Sequence, residues 1–400
     1  MPWKEVKPMD ERLRFIADYL NQYFTITELC ERYDISRTTG YKWIDRYNQT
    51  GTPDALLDLS RKPYHSPLKT PEEIENEILN LRSKHPSWGP KKLLWRIGKD
   101  HPNWTLPATS TTSLILKKNG CVKKRRRSMK RFHPGKPMSP ITEPNDTWTA
   151  DFKGHFKTRD GIYCYPLTVA DEFSRYLLAC DGLLSTKHTP VKPVFKLLFQ
   201  IYGLPNRIRT DNGNPFASIA LGRLSRLSVW WIRLGIMPEL IEPGHPEQNG
   251  IHERMHRTLK QETVIPPAQN LKKQQERFDK FRNEFNYERP HEGVHMNPPA
   301  EVYSPSLRRM PKKLPQVEYP DHFEVRLVSK NSGIRWKNDR VCVSHLLAGE
   351  YVGLEEVDNG LWNVYFGPVW LGRLDERTMQ IIDKKGNFQR TKRTKNNKKV

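Results

Sequence analysis

Near residue 147 the hydrophobic period of the chain changes, and that change limits the architectures open to it. Before it, apolar residues recur at helical spacing, as in Leu13, Ile16, Ala17 and Leu20. After it come short β-rich runs, TWTADFKGHF, YCYPLTVADEF and YLLACDGL, separated by turn residues. Between the two regimes lies KKRRRSMKR, followed by the proline-rich HPGKPMSPITEPND, which reads as a basic linker suited to tracking phosphates. Such a chain cannot be one repeating layer. With 400 residues it has room for two to four domains.

The helical part divides in two. Residues 1–55 read as a helix-turn-helix: Thr27 caps a short helix, Asp34 and Ile35 make the turn, Ser36 caps a second helix through Tyr47, and Gly51 ends it. The second helix places Arg37, Thr38, Lys42 and Arg46 outward, with Trp43, Ile44 and Tyr47 left for packing, as a helix inserted in a major groove requires. Residues 68–121 form a second helical, helix-turn-helix-like block. Its expected features are a capping box at Thr70–Glu73, a helix starting at Pro90, and a third helix stopped by Gly120. A helical spacer is the plainer reading of this second block.

The linker spans 122–146 and includes Lys123, Lys124, Arg125, Arg126 and Arg127. Strands followed by helices mixed with a strand predict an α/β layer domain over 147–305. Over 318–383, short strands with turns such as Asp358-Asn359-Gly360 predict a small SH3-like β-barrel. The tail, 384–400, carries eight basic side chains and no acid, and is expected to be a disordered arm available to a polyanion.

Charge narrows the function. Lys and Arg total 67 against 45 Asp and Glu, for a net charge of +22 and a pI near 9.7. So large an excess points to nucleic acid. A membrane surface is the rival, weakened because no apolar run approaches the roughly 20 residues that span a bilayer. The N-terminus lacks the apolar core of a signal peptide, and the five cysteines show no CxxC pair. Together these predict a cytoplasmic protein with reduced thiols.

Against that charge, three acids stand out. Asp151 lies in the strand TWTADF, Asp211 follows a strand and precedes Asn212-Gly213, and Glu253 opens a helix after PGHPEQNG. Phosphodiester chemistry uses such carboxylates to hold a pair of divalent ions about 3.5–4 Å apart. Mg²⁺ suits hard oxygen ligands and keeps several waters, so few carboxylates suffice. On the Glu253 helix, Ile251, Met255 and Leu259 form an apolar stripe, while Glu253, Arg257 and Lys260 share the opposite side. A solvated charged face is the commoner meaning of such a pattern. Asp171 is expected to start a turn. Glu242, Glu247 and Glu262 are nearby alternatives to Glu253, and His245 and His291 are candidates to approach the site.

Residues 252–256 also read His-Glu-Arg-Met-His, the HExxH pattern of zinc peptidases, with Glu284 and Glu288 downstream as possible further ligands. That reading leaves the helix-turn-helix, the net charge, Asp151 and Asp211 unexplained.

The strings TWTADFKGHF, RTDNGNPFASIALGRLSRLSVWWIRLGI, PGHPEQNGIHERMHRTLKQE and FNYERPHEGVHMNPPAEVY resemble bacterial insertion-sequence transposases with a retroviral-integrase-like core. The resemblance runs in order over roughly residues 10–385, most strongly from 147 to 303. It implies an RNase H-like catalytic fold with an Asp, Asp, Glu triad, which motif-to-motif matching puts at Asp151, Asp211 and Glu253. It also implies two Mg²⁺ ions, for which Mn²⁺ can substitute, and contact between Lys260 and transposon-end DNA. The implied partners are double-stranded DNA, both element ends and target, and at least one further copy of the chain. Two departures are visible. The spacing from Asp211 to Glu253 is longer than in retroviral integrases, through an insert that resembles that of close bacterial relatives. Helix-turn-helix units stand where those integrases have a zinc-binding domain. The rival from another class is a catalytically silent DNA-binding regulator descended from such an enzyme.

Overall fold

The computed structural model describes residues 8–60, 69–122, 138–243, 245–383 and 386, and the side chains of residues 246 and 247 are not among those described. Lys123, Lys124, Arg125, Arg126 and Arg127, and all but one residue of the basic tail, therefore lie outside the described residues. The chain divides into two units, Met1–Thr70 and Pro71–Val400.

The first unit packs three helices, α1 (Pro8–Leu20), α2 (Ile26–Arg32) and α3 (Arg37–Thr50), around Phe15, Ile16, Leu29, Cys30, Trp43, Ile44 and Leu56. The cap of α2 is Thr25, not Thr27. Glu28 lies three residues on and closes a capping box, its carboxylate accepting the Thr25 backbone N–H at 2.8 Å. Asp34 takes the left-handed conformation (φ 49°) that turns the chain, Ser36 caps α3, and Gly51 ends it at φ 68°. Gly40 is required where α3 crosses α2, since a Cβ there would stand 2.6 Å from Cys30 Sγ.

The second unit opens with α4 (Glu72–Lys84), α5 (Pro90–Asp100) and α6 (Thr109–Lys118), closed over Ile78, Leu81, Trp88, Leu93, Ile97 and Leu116. The capping box expected at Thr70–Glu73 is absent. Pro71 holds the cap position without a side-chain bond, and Glu72, Glu73 and Glu75 meet the positive helix end instead.

The centre of this unit is a mixed sheet built from β1 (Thr147–Phe152), the short β2 (Phe156–Lys157), β3 (Tyr163–Asp171), β4 (Leu177–Leu183), β5 (Arg207–Thr210) and β6 (Met237–Leu240). β3 pairs antiparallel with β1, β2 and β4, while β1, β5 and β6 run parallel, giving the order β4-β3-β1-β5-β6. Two helices, α7 (His188–Tyr202) and α8 (Arg226–Arg233), supply Val191, Phe195, Phe199, Leu227 and Trp231 to the core under Trp148, Ala150, Leu167, Val169 and Ile208. On the other face, α9 (Gly250–Leu259) and α10 (Leu271–Asn283) bury Met255, Leu259, Phe278 and Phe281 against Cys164, Leu177 and Cys180. The result is the helix–sheet–helix layering expected of a parallel-containing sheet. The edge strand β6 is not legible in sequence, because MPEL is short, half-buried without alternation, and carries a proline. A short α11 (Pro299–Val302) follows.

The C-terminal strands are β7 (Glu324–Leu327), β8 (Gly333–Trp336), β9 (Asp339–Cys342), β10 (Tyr351–Asp358), β11 (Leu361–Phe366), β12 (Val369–Asp375) and β13 (Gln380–Ile382). They do not make the closed SH3-like barrel expected from their spacing. Five form an open antiparallel sheet, β13-β12-β11-β10-β7, and β8-β9 is a separate hairpin. Closure is unnecessary because the apolar face is covered otherwise. Ile334, Trp336 and Val341 of the hairpin and Leu221, Leu224, Val229 and Ile232 beside and within α8 join Val352, Leu354, Val364, Phe366, Leu371 and Leu374 in one core.

Candidate active site

Strand register brings the first two acids together. β1 and β5 are parallel and matched from Thr147 with Arg207 to Ala150 with Thr210. One step further stand Asp151 and Asp211, on backbones about 4.8 Å apart. Matched positions on neighbouring strands point to the same face, so both carboxylates leave the sheet on the α9 side. Asp211 accepts the Gly213 backbone N–H at 3.1 Å, and a Cβ on Gly213 would crowd its Oδ2 at 3.0 Å.

The third acid arrives on α9, which is fixed to that face by buried polar bonds. Thr168 is the cross-strand partner of Asp151. Its Oγ1 lies 2.6 Å from Nε2 of His252 and 2.6 Å from Nε2 of His256, and donates to the Asp151 carbonyl at 3.1 Å. Thr149, two residues before Asp151, holds His252 Nδ1 at 2.9 Å. A threonine hydroxyl has one proton and two lone pairs, so the Thr168 set is satisfied when both histidines donate through Nε2. Burial holds both rings neutral, His252 depressed to about 3 and His256 to about 2. His256 then presents a lone pair, not a proton, to Asp151 Oδ2 at 3.7 Å. Glu253, between these histidines in sequence, is exposed.

Electrostatics ties the three acids together. The Asp151 carboxyl is pushed up to about 7, first by burial and then by the negative charges of Asp211 and, more weakly, Glu253. Among the described residues neither Asp211 nor Glu253 is ion-paired, in a protein with 67 basic side chains. In kind, three unpaired oxygen donors fit a hard divalent ion. As they stand, no three acids, histidines or cysteines among the described residues converge on a single ion position.

Several stretches of the chain match known protein families. Residues 141–246 and 234–299 match family models described as integrase core domains, residues 11–64 a helix-turn-helix domain, and residues 39–116 a homeodomain-like domain. An insertion element IS476 protein of 39.2 kDa from Xanthomonas euvesicatoria is 28% identical over 256 residues, covering 62% of this chain and 70% of its own length. The chain thus carries an integrase core domain behind helix-turn-helix-type domains, and it is similar to an insertion-sequence protein over most of that protein's length. The Gag-Pol polyprotein of baboon endogenous virus is 33% identical over 118 residues, which are 30% of this chain and 6% of the polyprotein. Among solved structures, a simian T-cell lymphotropic virus intasome in complex with PP2A regulatory subunit B56 gamma aligns at TM-score 0.37 and 18% identity, over 73% of this chain and 97% of the matched chain. The HTLV-2 integrase catalytic core domain in complex with magnesium aligns at TM-score 0.32 and 17% identity, over 40% and 97%. Integrase cores of this family are divalent-metal-dependent polynucleotidyl transferases that serve DNA integration and transposition.

The remaining sequence candidates separate cleanly. Arg257 and Lys260 are exposed with Glu253, but the buried stripe of α9 is His252, Met255, His256 and Leu259, and Ile251 is 39% exposed. The zinc-peptidase pattern is thereby answered, since both histidines share one threonine hydroxyl. Glu284 of the same reading is taken by His85 at 3.0 Å and lies 3.6 Å from Arg289. Glu262 pairs with Arg289 at 2.5 Å, and Glu242 lies 4.0 Å from His245. Asp171 is a structural cap, accepting from the Asn145 N–H, the Ser174 N–H and the Ser174 hydroxyl. His291 is held against the Phe285 carbonyl at 3.3 Å. In the first unit Arg37, Thr38 and Lys42 are exposed on α3, whereas Arg46 is half-buried, donating to the Leu57 carbonyl and stacking 4.8 Å from the Trp43 ring. Sequence reasoning missed Thr149 and Thr168, and, having set the zinc pattern aside, gave His252 and His256 no role. Their visible signal was the spacing of two histidines one turn apart; their partners lie far away in the chain.

Proposed function

We propose that this protein is a transposase that binds the ends of its element, cuts a phosphodiester there, and joins the freed 3′-hydroxyl to target DNA. The observation that carries the reading is the placement of Asp151 and Asp211 side by side with Glu253 on a helix pinned to the same face, all lacking a cationic partner. Asp151, Asp211 and Glu253 would hold the metal. When bound, a pair of Mg²⁺ ions, or Mn²⁺ in their place, supplies activation of the attacking oxygen and charge stabilisation of the leaving one.

The protein's own residues do the rest. In the first displacement a water oxygen attacks phosphorus and the 3′-oxygen leaves. In the second that 3′-hydroxyl attacks a target phosphodiester in line, one bond forming as one breaks, so no nucleoside triphosphate is consumed. His252 and His256 hold α9 in place without protonating Asp151. Arg257 and Lys260, exposed beside Glu253, take DNA phosphates. Arg37, Thr38 and Lys42 on α3 read the element end, with double-stranded DNA as partner and at least two copies of the chain needed to hold two ends.

The test is Mg²⁺-dependent cleavage and joining of DNA carrying the inverted repeats that flank the gene. Asp151→Asn, Asp211→Asn and Glu253→Gln should each reduce both steps below detection while leaving end binding within about twofold of wild type. Strand transfer at the wild-type rate by Asp151→Asn would sink the mechanism.

A further inference from the structure

On the flank of α9 away from Glu253 lies a cleft of about 310 Å³, walled by Lys92 of α5, Thr149, Arg175, Ile251, Arg254, Met255 and Thr258, and by the Phe285–Gly293 segment. That segment belongs to the string FNYERPHEGVHMNPPAEVY, which the carboxylate chemistry leaves unused. The cleft's acids are already occupied. Asp171 accepts three hydrogen bonds, Glu172 pairs with Arg209 at 2.5 Å, and Glu292 pairs with Lys91 at 3.3 Å.

Its cations are engaged unevenly: Arg175 donates to the Glu172 carbonyl, and Arg289 pairs with Glu262 at 2.5 Å and lies 3.6 Å from Glu284. Lys92 and Arg254 make no hydrogen bond or ion pair among the described residues, and Arg175 and Arg254 stand close enough to repel. Arg289, 4% exposed, bonds Glu262 and Ser87 through Nη2, but its Nε is buried with no partner. Lys92 is depressed to about 8, by burial first and then by the neighbouring Arg289 charge. A buried guanidinium N–H without an acceptor, beside a lysine that feels Glu292 and Glu262 but forms no ion pair with either, is a cradle for an anion. The ring of Phe285 and the side chain of Met255 add an apolar wall suited to a planar base.

We infer that this cleft is a phosphate-ester site that seats one nucleotide, its phosphate among Lys92, Arg254 and Arg289 and its base against Phe285. The site rests on the proposed DNA function for its biological ligand but not for its chemistry. Because Lys92 comes from the α4–α6 block and Arg254 from the core, the ligand bridges the two. That block is also tied to the core by His85–Glu284 (3.0 Å), Lys99–Glu301 (2.8 Å) and Ser87–Arg289 (3.0 Å).

The test is calorimetric titration of the full-length Asp151→Asn protein, which is chemically inert on the proposed mechanism, with deoxyadenosine monophosphate and with a thymidine tetranucleotide. Saturable one-to-one binding is expected, weakened at least tenfold by Lys92→Met and by Arg254→Ser. Lys92→Met should melt no lower than its parent, since it removes a charge that burial disfavours and no ion pair holds, so lost binding will not mean lost folding. Tighter binding of the tetranucleotide assigns the site to a DNA strand, tighter binding of the monophosphate to a free nucleotide, and both support it. Binding of both probes unchanged in Lys92→Met and Arg254→Ser overturns it. Wild-type protein that binds at this cleft yet fails to cut element ends would refute the proposed function alone.

Discussion

Replacing Thr168 by valine tests whether α9 is held by a single hydroxyl. Valine keeps the shape and the β-propensity of threonine but deletes the oxygen that meets two histidines at 2.6 Å each. A buried donor left without a partner costs about 1–3 kcal/mol. Two imidazole N–H groups are stranded, giving about 2–6 kcal/mol before relaxation. His256 can recover part of this by turning toward Asp151, whose carboxylate is 3.7 Å away, so the lower half of the range, about 2–4 kcal/mol, is the expectation. Urea unfolding followed by tryptophan emission measures it, because Trp148, Trp230 and Trp231 sit in the same core unit. Thr168→Ser should stay within about 1 kcal/mol, since it restores the hydroxyl and removes only a methyl. Cleavage should fall about 100-fold in Thr168→Val, through displacement of Glu253 by roughly an ångström. A Thr168→Val protein within about 0.5 kcal/mol of wild type, with both histidines present, would refute the anchoring argument.

Two further outcomes follow from residues outside the carboxylate trio. On α3, Arg37→Ala and Lys42→Ala should weaken end binding and each reduce the slope of log affinity against log salt by about 0.9 without changing the melting point, whereas Arg46→Ala should lower stability by about 1 kcal/mol through loss of its bond to Leu57 and its contact with Trp43. His291, half-buried and depressed to about 3 chiefly by desolvation, gives a pH signature. The unfolded chain protonates this ring below about pH 6.5 while the folded one resists, so stability present above that pH is lost progressively as pH falls toward 3. At pH 4.5 the loss is on the order of 2–3 kcal/mol, and His291→Gln should flatten that part of a stability-against-pH curve.

How much of this was legible depended on whether a feature is local. Ser36, Gly51 and the turn at Asp34 are written within a few residues of where they act, and they stand in the structure as the sequence predicts. The Thr25 cap was equally local, but its partner Glu28 had to be weighed against Thr27. Asp151, Asp211 and Glu253 were singled out by context and by motif resemblance, and strand register then explains why two of them are neighbours. The buried face of α9 differs from the apolar stripe Ile251, Met255 and Leu259, because hydrophobicity alone does not mark it. A histidine counts as polar in that test, yet two neutral histidines with a threonine between them bury as well as leucines do, and they turn Ile251 outward. The barrel was misjudged because strand spacing cannot show that α8 covers a sheet and removes the need to close it.

The charge pattern around the trio shows how acids can stay unpaired in so basic a chain. Arg209 lies in β5 two residues before Asp211, on the same face and in register with Thr149. It is the cation best placed to neutralise Asp211. Instead its guanidinium is turned away, bonded to Glu239 at 2.7 Å and Glu172 at 2.5 Å, with side chains 3%, 16% and 9% exposed. Those two acids therefore compete for the arginine, and Glu172, raised by burial, is held back chiefly by the Arg209 charge. A buried ion pair of this kind adds little net stability, since desolvation offsets the attraction. Its effect lies in position. By engaging Arg209 behind the strand ends, Glu172 and Glu239 leave Asp151, Asp211 and Glu253 without an ion pair to that arginine, so that an added cation can meet their charge at the front. Replacing both acids with glutamine should free Arg209 to reach Asp211 and weaken Mg²⁺-dependent activation even though every carboxylate of the trio is retained. Unchanged Mg²⁺ dependence in that double variant would show that Arg209 never had access to the site.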